Sequence, residues 1–288
     1  DWFGELTQTG IQTNHQVTIS NGNEKSRNLF SLGYYHNEGT QIHTHFTRYS
    51  ARMNSDYDFF NGLLKVGENF TASYINFKEG NEVENAMTMP SIVPVRTEDG
   101  EWGGSAMSLG MDDYNNPVRI LTMDKDNTRN FLKLFGNVYL ELEPIKNLKL
   151  KTQFGIDYSS AYFRELQYSW REGGGRSFDI NGVTNDQNHI LEYVWSNTAL
   201  YSFNFGKNNF DVLLGTEATK LNNDGFKAYR KGIYLENRDY AVLSQATGNT
   251  EITEGWTGES AMFSLFSKVN YSFDSKYLFS VTKKRWFF

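Results

Sequence analysis

The sequence predicts an all-β protein with an antiparallel up-and-down transmembrane β-barrel architecture, present in part as about ten strands. Three observations predict it. Apolar and polar residues alternate with a period of two over long segments, short and long connections alternate along the chain, and aromatic residues gather at the tightest turns.

The alternation is plainest in "NFLKLFGNVYLELE". Leu132, Leu134, Val138, Leu140 and Leu142 take the even positions, while Lys133, Asn137, Glu141 and Glu143 take the odd ones, with Phe135 and Tyr139 among them. After the turn "PIKN", the stretch "LKLKTQFGIDY" repeats the pattern, with Leu148, Leu150, Phe154, Ile156 and Tyr158 opposite Lys149, Lys151, Gln153 and Asp157. A helical period cannot sort these residues into two faces, whereas the pleat of a strand does so at once. Read along the whole chain, the pattern places strands near 13–21, 26–37, 46–58, 63–78, 130–143, 147–171, 189–205, 209–222, 259–273 and 276–284. Many run to about 12–17 residues, against ~5–6 in soluble sheets. A tilted strand crosses a bilayer in about 9–11 residues, and the excess projects beyond it.

Short connections are expected near 22–25, 59–62, 144–146, 206–208 and 274–275, and longer ones near 38–45, 79–129, 172–188 and 223–258. Strict alternation puts every long connection at one end, as in a barrel with short periplasmic turns and long extracellular loops. The short turns "DYDFFNG", "YSFNFGKNNF" and "YSFDSKY" are dense in Tyr and Phe. Such rings sit where hydrocarbon meets headgroups, forming the inner aromatic girdle of a barrel; in the alternative reading they cap the core of a soluble sandwich.

Composition agrees and excludes other classes. Among 288 residues, 22 Phe, 17 Tyr and 25 Gly against 4 Pro suit a pleated, turn-rich chain. A formal net charge of −6 leaves no basic stripe for nucleic acid. With 0 cysteines there is no disulfide scaffold, thiolate metal site or thiol nucleophile. No run of eighteen apolar residues marks a transmembrane helix. The mean hydropathy of −0.58 is what alternating lipid-facing and lumen-facing residues produce.

Candidate chemical sites are few. "HNEGTQIHTH" brings His36, His43 and His45 together; His43 and His45 would share a strand face, but solvated loop histidines account for them better than a metal site. "MDKDNT", with Asp124, Asp126 and Asn127 near Asp112 and Asp113, lacks the glycine and terminal glutamate of a calcium loop and reads as an acidic surface loop. "REGGGRS" lacks the Lys-Ser/Thr ending of a phosphate loop, and "GGSAM" and "GESAM" lack the second glycine of a nucleophile elbow. No catalytic residue, metal or cofactor is expected. Trp102, Tyr114 and Trp256 stand among polar and glycine residues of the long connections. Exposed aromatics of this kind stack on sugar rings or anchor a protein partner, or else pack loop against loop.

The opening "DWFGELTQTGIQTNHQVTISNGNEKSRNLFSLGYYHNEG" resembles the SusC/RagA family of TonB-linked outer-membrane transporters. The likeness is carried by Asp1-Trp2-Phe3, Gln12, Ser20-Asn21-Gly22, Glu24-Lys25-Ser26, Gly33-Tyr34 and Gly39, and continues through "FTRYSARMN" with Arg48-Tyr49-Ser50 and Arg52. Weaker likeness runs through "NNPVRIL", "FGNVYLELEPIKNLKLKTQFGIDY" and "NYSFDSKYLFSVT"; at the end "TKKRWFF" departs from the basic pair and Asp-Gly-Ser-Ser-like turn of the family. The resemblance implies that residues 1–288 are one partial barrel domain, the central part of a longer product whose plug, TonB-binding box and C-terminal strands lie outside it. It further implies import of oligosaccharides or peptides across a Gram-negative outer membrane, energised through TonB, with a SusD-like surface lipoprotein as partner. Two alternatives stay open at this point: a passive porin-like barrel, and a secreted soluble β-sandwich that binds carbohydrate.

Overall fold

The computed structural model describes residues 1–112 and 114–287. A short helix α1 (Trp2–Leu6) leads into strands β1 (Gln12–Gly22), β2 (Ser26–Glu38), β3 (His45–Phe59) and β4 (Leu64–Lys78). The long connection that follows carries helices α2 (Val83–Thr88) and α3 (Pro117–Met123). Strands β5 (Arg129–Ile145) and β6 (Leu148–Gln167), the small pair β7 (Trp170–Glu172) and β8 (Arg176–Phe178), then β9 (Gly182–Phe205), β10 (Asn208–Lys231), β11 (Thr250–Phe273) and β12 (Tyr277–Phe287) complete the chain. Ten strands form one antiparallel sheet in the order β1-β2-β3-β4-β5-β6-β9-β10-β11-β12, and β7 pairs with β8 apart from it.

Each long strand thus lies beside its predecessor, which is up-and-down topology. The turns that make this possible use backbone most residues avoid. Asp274 and Ser275 take φ of 51° and 54°, and Asn147 takes 69°, the left-handed region that reverses a hairpin in two residues. Asn and Asp tolerate it because their short side chains bond locally.

Register sorts the side chains into two surfaces. Val17, Leu32, Ala51, Ala72, Leu134 and Tyr158 lie in one cross-strand row, and Leu140, Thr152, Asn197, Thr216 and Leu265 in another, all on one face. The opposite face carries Arg27, Asp56, Lys133, Asp157, Lys149, Glu141, Glu217 and Lys284, joined in ion pairs between 3.1 and 3.5 Å. The aliphatic face is left open: Val17, Ile19, Leu214 and Leu265 are each exposed. No second sheet covers these rows among the described residues, so a sandwich is excluded and the apolar face is the lipid surface of a barrel wall. A depression of about 870 Å³ on it, lined by Leu140, Leu150, Ala199, Leu214 and Leu265, is a groove in that surface. Among the described residues, no helix is long and apolar enough to cross a membrane.

The turn aromatics stand on this outer face. Tyr201, Phe203, Phe210 and Tyr271 stack in a continuous row with ring centroids 5.5, 5.1 and 4.8 Å apart, the expected girdle at the turn end.

Four strand ends differ clearly from the sequence reading. Strand β9 begins at Gly182, β10 runs to Lys231 and β11 starts at Thr250, so the sheet climbs well past the apolar band. These upper segments, such as "NNDGFKAYRK", have no apolar alternation because neither face meets lipid; ladder hydrogen bonds hold them. Strand β6 stops at Gln167, earlier than expected, and the chain turns into the β7–β8 hairpin. The buried hydrophobic clusters lie at the loop end. Trp2, Leu6, Ala86, Met89, Val93 and Leu121 form one; Leu166, Val183, Ile233, Ala241 and Ala246 form the other.

Candidate functional site

The long loops fold into a shelf at the extracellular end, and its chemistry begins at α3. "NPVRILTM" starts that helix as sequence rules dictate, with Asn116 as cap and Pro117 in the first turn. The Asn116 side-chain Oδ1 accepts from the Arg119 backbone N–H at 3.0 Å, and its side-chain amide donates to the Gly103 and Val95 backbone carbonyls at 2.9 and 3.1 Å. The Asn116 N–H donates to the Glu172 carboxylate at 3.2 Å, which also accepts from Arg119 Nε at 2.5 Å. Arg176 donates to the other carboxylate oxygen at 2.8 Å, to Asn115 Oδ1 at 3.0 Å and to the Tyr114 carbonyl. The Arg119 guanidinium lies 3.9 Å from the centre of the Trp170 ring. A carboxylate with two arginines and a backbone donor is a fully paired buried charge, which locks loop 79–128 onto the β7–β8 hairpin.

Two further clamps extend the shelf. Asn127 exchanges both amide bonds with the Leu166 backbone at 3.1 and 3.0 Å and accepts from Arg238 at 3.0 Å. Asn181 does the same with Ile233 at 2.9 and 2.7 Å. Burial pushes the Glu82 carboxyl above the ordinary carboxylate range, and does the same to Asp124.

Beneath the shelf the polar wall becomes aromatic. Tyr35, Phe46, Phe77 and Phe131 face the lumen side with successive ring centroids 5.9, 6.3 and 5.6 Å apart. Arg48 lies 5.7 Å over Tyr35, and Arg129 lies 4.4 Å over Phe163. A cavity of about 470 Å³ opens above this ladder, with Phe46 and Phe77 on its floor and Asn37, Gln41, Thr44 and Glu79 on its rim. Aromatic faces below, with amide, hydroxyl and carboxylate groups around them, are fit to hold a sugar ring or a peptide side chain in one orientation. One of these rings was legible as a parity violation. Phe46 occupies an inward position that is otherwise polar along β3, while Phe77 shares its inward row with Ile75, and Phe131 with Phe135 and Tyr139.

The three aromatics singled out from sequence are not brought to one point. Trp102 packs under the Arg96 guanidinium, 3.2 Å from its ring centre, and its backbone bridges to Arg96 and Glu172. Tyr114 belongs to the same shelf, where its hydroxyl donates to Asp112 at 2.9 Å; Asp113 lies outside the described residues. Trp256, expected in a loop, stands on the lumen side of β11, lies over Gly225 and donates to Asn188 Oδ1 at 3.1 Å. The histidines also move. His36 and His45 are strand residues on the outer face, while His43 takes a φ of 62° and turns toward Thr122. No group of three or more His, Cys, Asp and Glu converges as a metal site among the described residues.

No family model matches the chain. It is 26% identical to TonB-dependent receptor P3 of Formosa agariphila, over 99% of this chain and 29% of that protein. It is 24% identical to TonB-dependent receptor SusC of Bacteroides thetaiotaomicron, over 99% of this chain and 30% of that one. Among solved structures it superposes on the RagAB peptide transporter with a TM-score of 0.82 and 25% identity, covering 99% of this chain and 33% of that one. The chain therefore spans 29% and 30% of the length of the two curated relatives. Up-and-down sheet, lipid-facing aliphatic rows, stacked extracellular loops and these likenesses agree on one assignment: the chain is a SusC/RagA-like segment of a TonB-dependent receptor of the outer membrane.

Proposed function

We propose that the chain forms part of the wall and outer mouth of a SusC-like transporter that imports oligosaccharides or peptides, with a SusD-like surface lipoprotein over its loops and TonB as the source of energy. The observation that carries this is the cavity floored by Phe46 and Phe77 at the loop end of the lumen wall. Ring faces there give a passing substrate apolar contact, and Asn37, Gln41, Thr44 and Glu79 replace its water hydrogen bonds. In the same reading, Trp102, Tyr114 and Trp256 belong to the mouth, two in the loop shelf and one on the lumen wall. No bond is made or broken in such a role, so no catalytic residue is assigned.

The test is uptake by the full-length receptor of a labelled maltooligosaccharide and a labelled oligopeptide. Phe46→Ala and Phe77→Ala should each lower apparent affinity for the imported class by roughly two- to tenfold, the worth of an aromatic contact. Unchanged affinity for both probes in the double variant would overturn the assignment of this cavity.

A further inference from the structure

Four of the protein's 5 histidines (His15, His36, His45 and His189) point to the outer face of the sheet, and three of them stand together. Outward side chains follow the same progression toward the loop end on neighbouring strands. Strand β1 reads Ile19, Val17, His15; β2 reads Phe30, Leu32, Tyr34, His36, Glu38; β3 reads Met53, Ala51, Tyr49, Thr47, His45; and β4 reads Phe70, Ala72, Tyr74, Asn76, Lys78. The switch falls in one cross-strand row, His15–Tyr34–Tyr49–Tyr74. That row marks the upper edge of the hydrocarbon layer, where amphipathic rings belong.

The imidazoles just at and above this row form a stacked chain. His15 to Tyr34, Tyr34 to His36 and His36 to His45 have ring centroids 6.2, 6.4 and 6.4 Å apart. One nitrogen of His36 meets Thr47 Oγ1 at 2.8 Å, and one of His45 meets Asn76 Oδ1 at 2.8 Å. The second nitrogen of each ring is left for an outside acceptor. His189 differs, since Tyr158 and Gln187 engage both of its nitrogens. Lys78 is paired in register with His45, but its charge acts on the acidic groups of the loop end, Glu82 and Asp124, and on Glu165. Near the cluster on the outer face stands Glu38, whose carboxylate accepts from the Ile11 N–H at 3.2 Å.

We propose that His15, His36 and His45 bind the phosphorylated headgroup of an outer-leaflet lipid, and bind it more tightly as the medium turns acidic. The site lies on the lipid-facing surface at headgroup depth, so its occupant arrives by lateral diffusion with its acyl chains against Val17, Leu32 and Phe30. Phosphate supplies the acceptors that the remaining imidazole nitrogens lack. Histidine is the side chain whose charge changes between about pH 5 and pH 8, so protonation adds cations where the phosphate sits.

The experiment uses the full-length receptor in detergent, with native mass spectrometry counting retained bisphosphorylated lipid A, dephosphorylated lipid A and inorganic phosphate near about pH 5.5 and about pH 8. Wild type should retain bisphosphorylated lipid A at least several-fold better in acid. His15→Gln/His36→Gln/His45→Gln should abolish the difference with an unchanged melting temperature, and the corresponding triple His→Lys variant should retain the lipid at both pH values. The proposal is overturned by equal retention at the two pH values in wild type, or by a pH effect that survives in the Gln variant. Equal retention of the dephosphorylated lipid, or displacement by inorganic phosphate alone, overturns it too.

Discussion

Arg119 Nε and Glu172 Oε1 meet at 2.5 Å with the two side chains 6% and 0% exposed, in a part of the protein made of loops. Buried charges of this kind are stable only as a complete set, and Asn116 and Arg176 complete it. Glu172→Gln removes the charge that both arginines need. The expected loss is about 3–5 kcal/mol of local stability, as for a broken buried pair. Hydrogen exchange on the full-length receptor should show it in α3 and the β7–β8 hairpin, with strands β2 to β4 unaffected.

The shelf should also respond to pH. Burial raises the Glu82 and Asp124 carboxyls above their unfolded values, so the folded shelf holds protons that the unfolded one releases. Stability from these two groups is therefore full below the ordinary carboxylate range and is lost as pH rises through their raised folded values. Exchange protection of α2 and α3 should fall as pH rises across that window, and Glu82→Gln/Asp124→Asn should flatten the profile. A profile equally steep in the double variant would assign the effect elsewhere.

On the lumen wall, Gly67 lies under Tyr139, and a Cβ at Gly67 would stand 2.5 Å from the ring. The Tyr139 hydroxyl donates to Asp56, which pairs with Arg27 at 3.4 Å. Gly67→Val should displace the ring and destabilise this part of the wall by about 1–3 kcal/mol, the usual range for overpacking. In the background of Tyr139→Ala the same substitution should have a smaller effect, a coupling that thermal melts of the four variants will measure.

Trp102→Ala, Tyr114→Ala and Trp256→Ala test the mouth. Each should weaken binding of substrate or of the lipoprotein partner, measured by titration with the full-length receptor. Trp256→Ala also uncovers Gly225 and frees Asn188. Unchanged binding in all three would remove these residues from the site.

How much of this was legible follows from which forces wrote the pattern. Where one face meets hydrocarbon, as in Leu132 to Leu142, alternation is enforced and strand positions read to within a few residues. Above the hydrocarbon, as from Asn222 to Lys231, the same backbone ladder continues with no side-chain signature, so β10 looked shorter than it is and Trp256 looked like a loop residue. The shelf was hidden for another reason. Asn116 and Arg119 lie 56 and 53 residues from Glu172 and meet it only through loop packing. Half of the aromatic floor was within reach, because Phe46 breaks the polar row of β3 that a parity count exposes.

The order of strands in the sheet has a bearing on how such a wall is made. Apart from the step from β6 to β9, which spans only the small β7–β8 hairpin, every pairing joins strands consecutive in the chain. Loop-closure entropy is then met one turn at a time, and each arriving strand finds a neighbour whose register is already fixed. Insertion can advance like a zip from either side of any formed hairpin, without waiting for distant parts of the chain to meet.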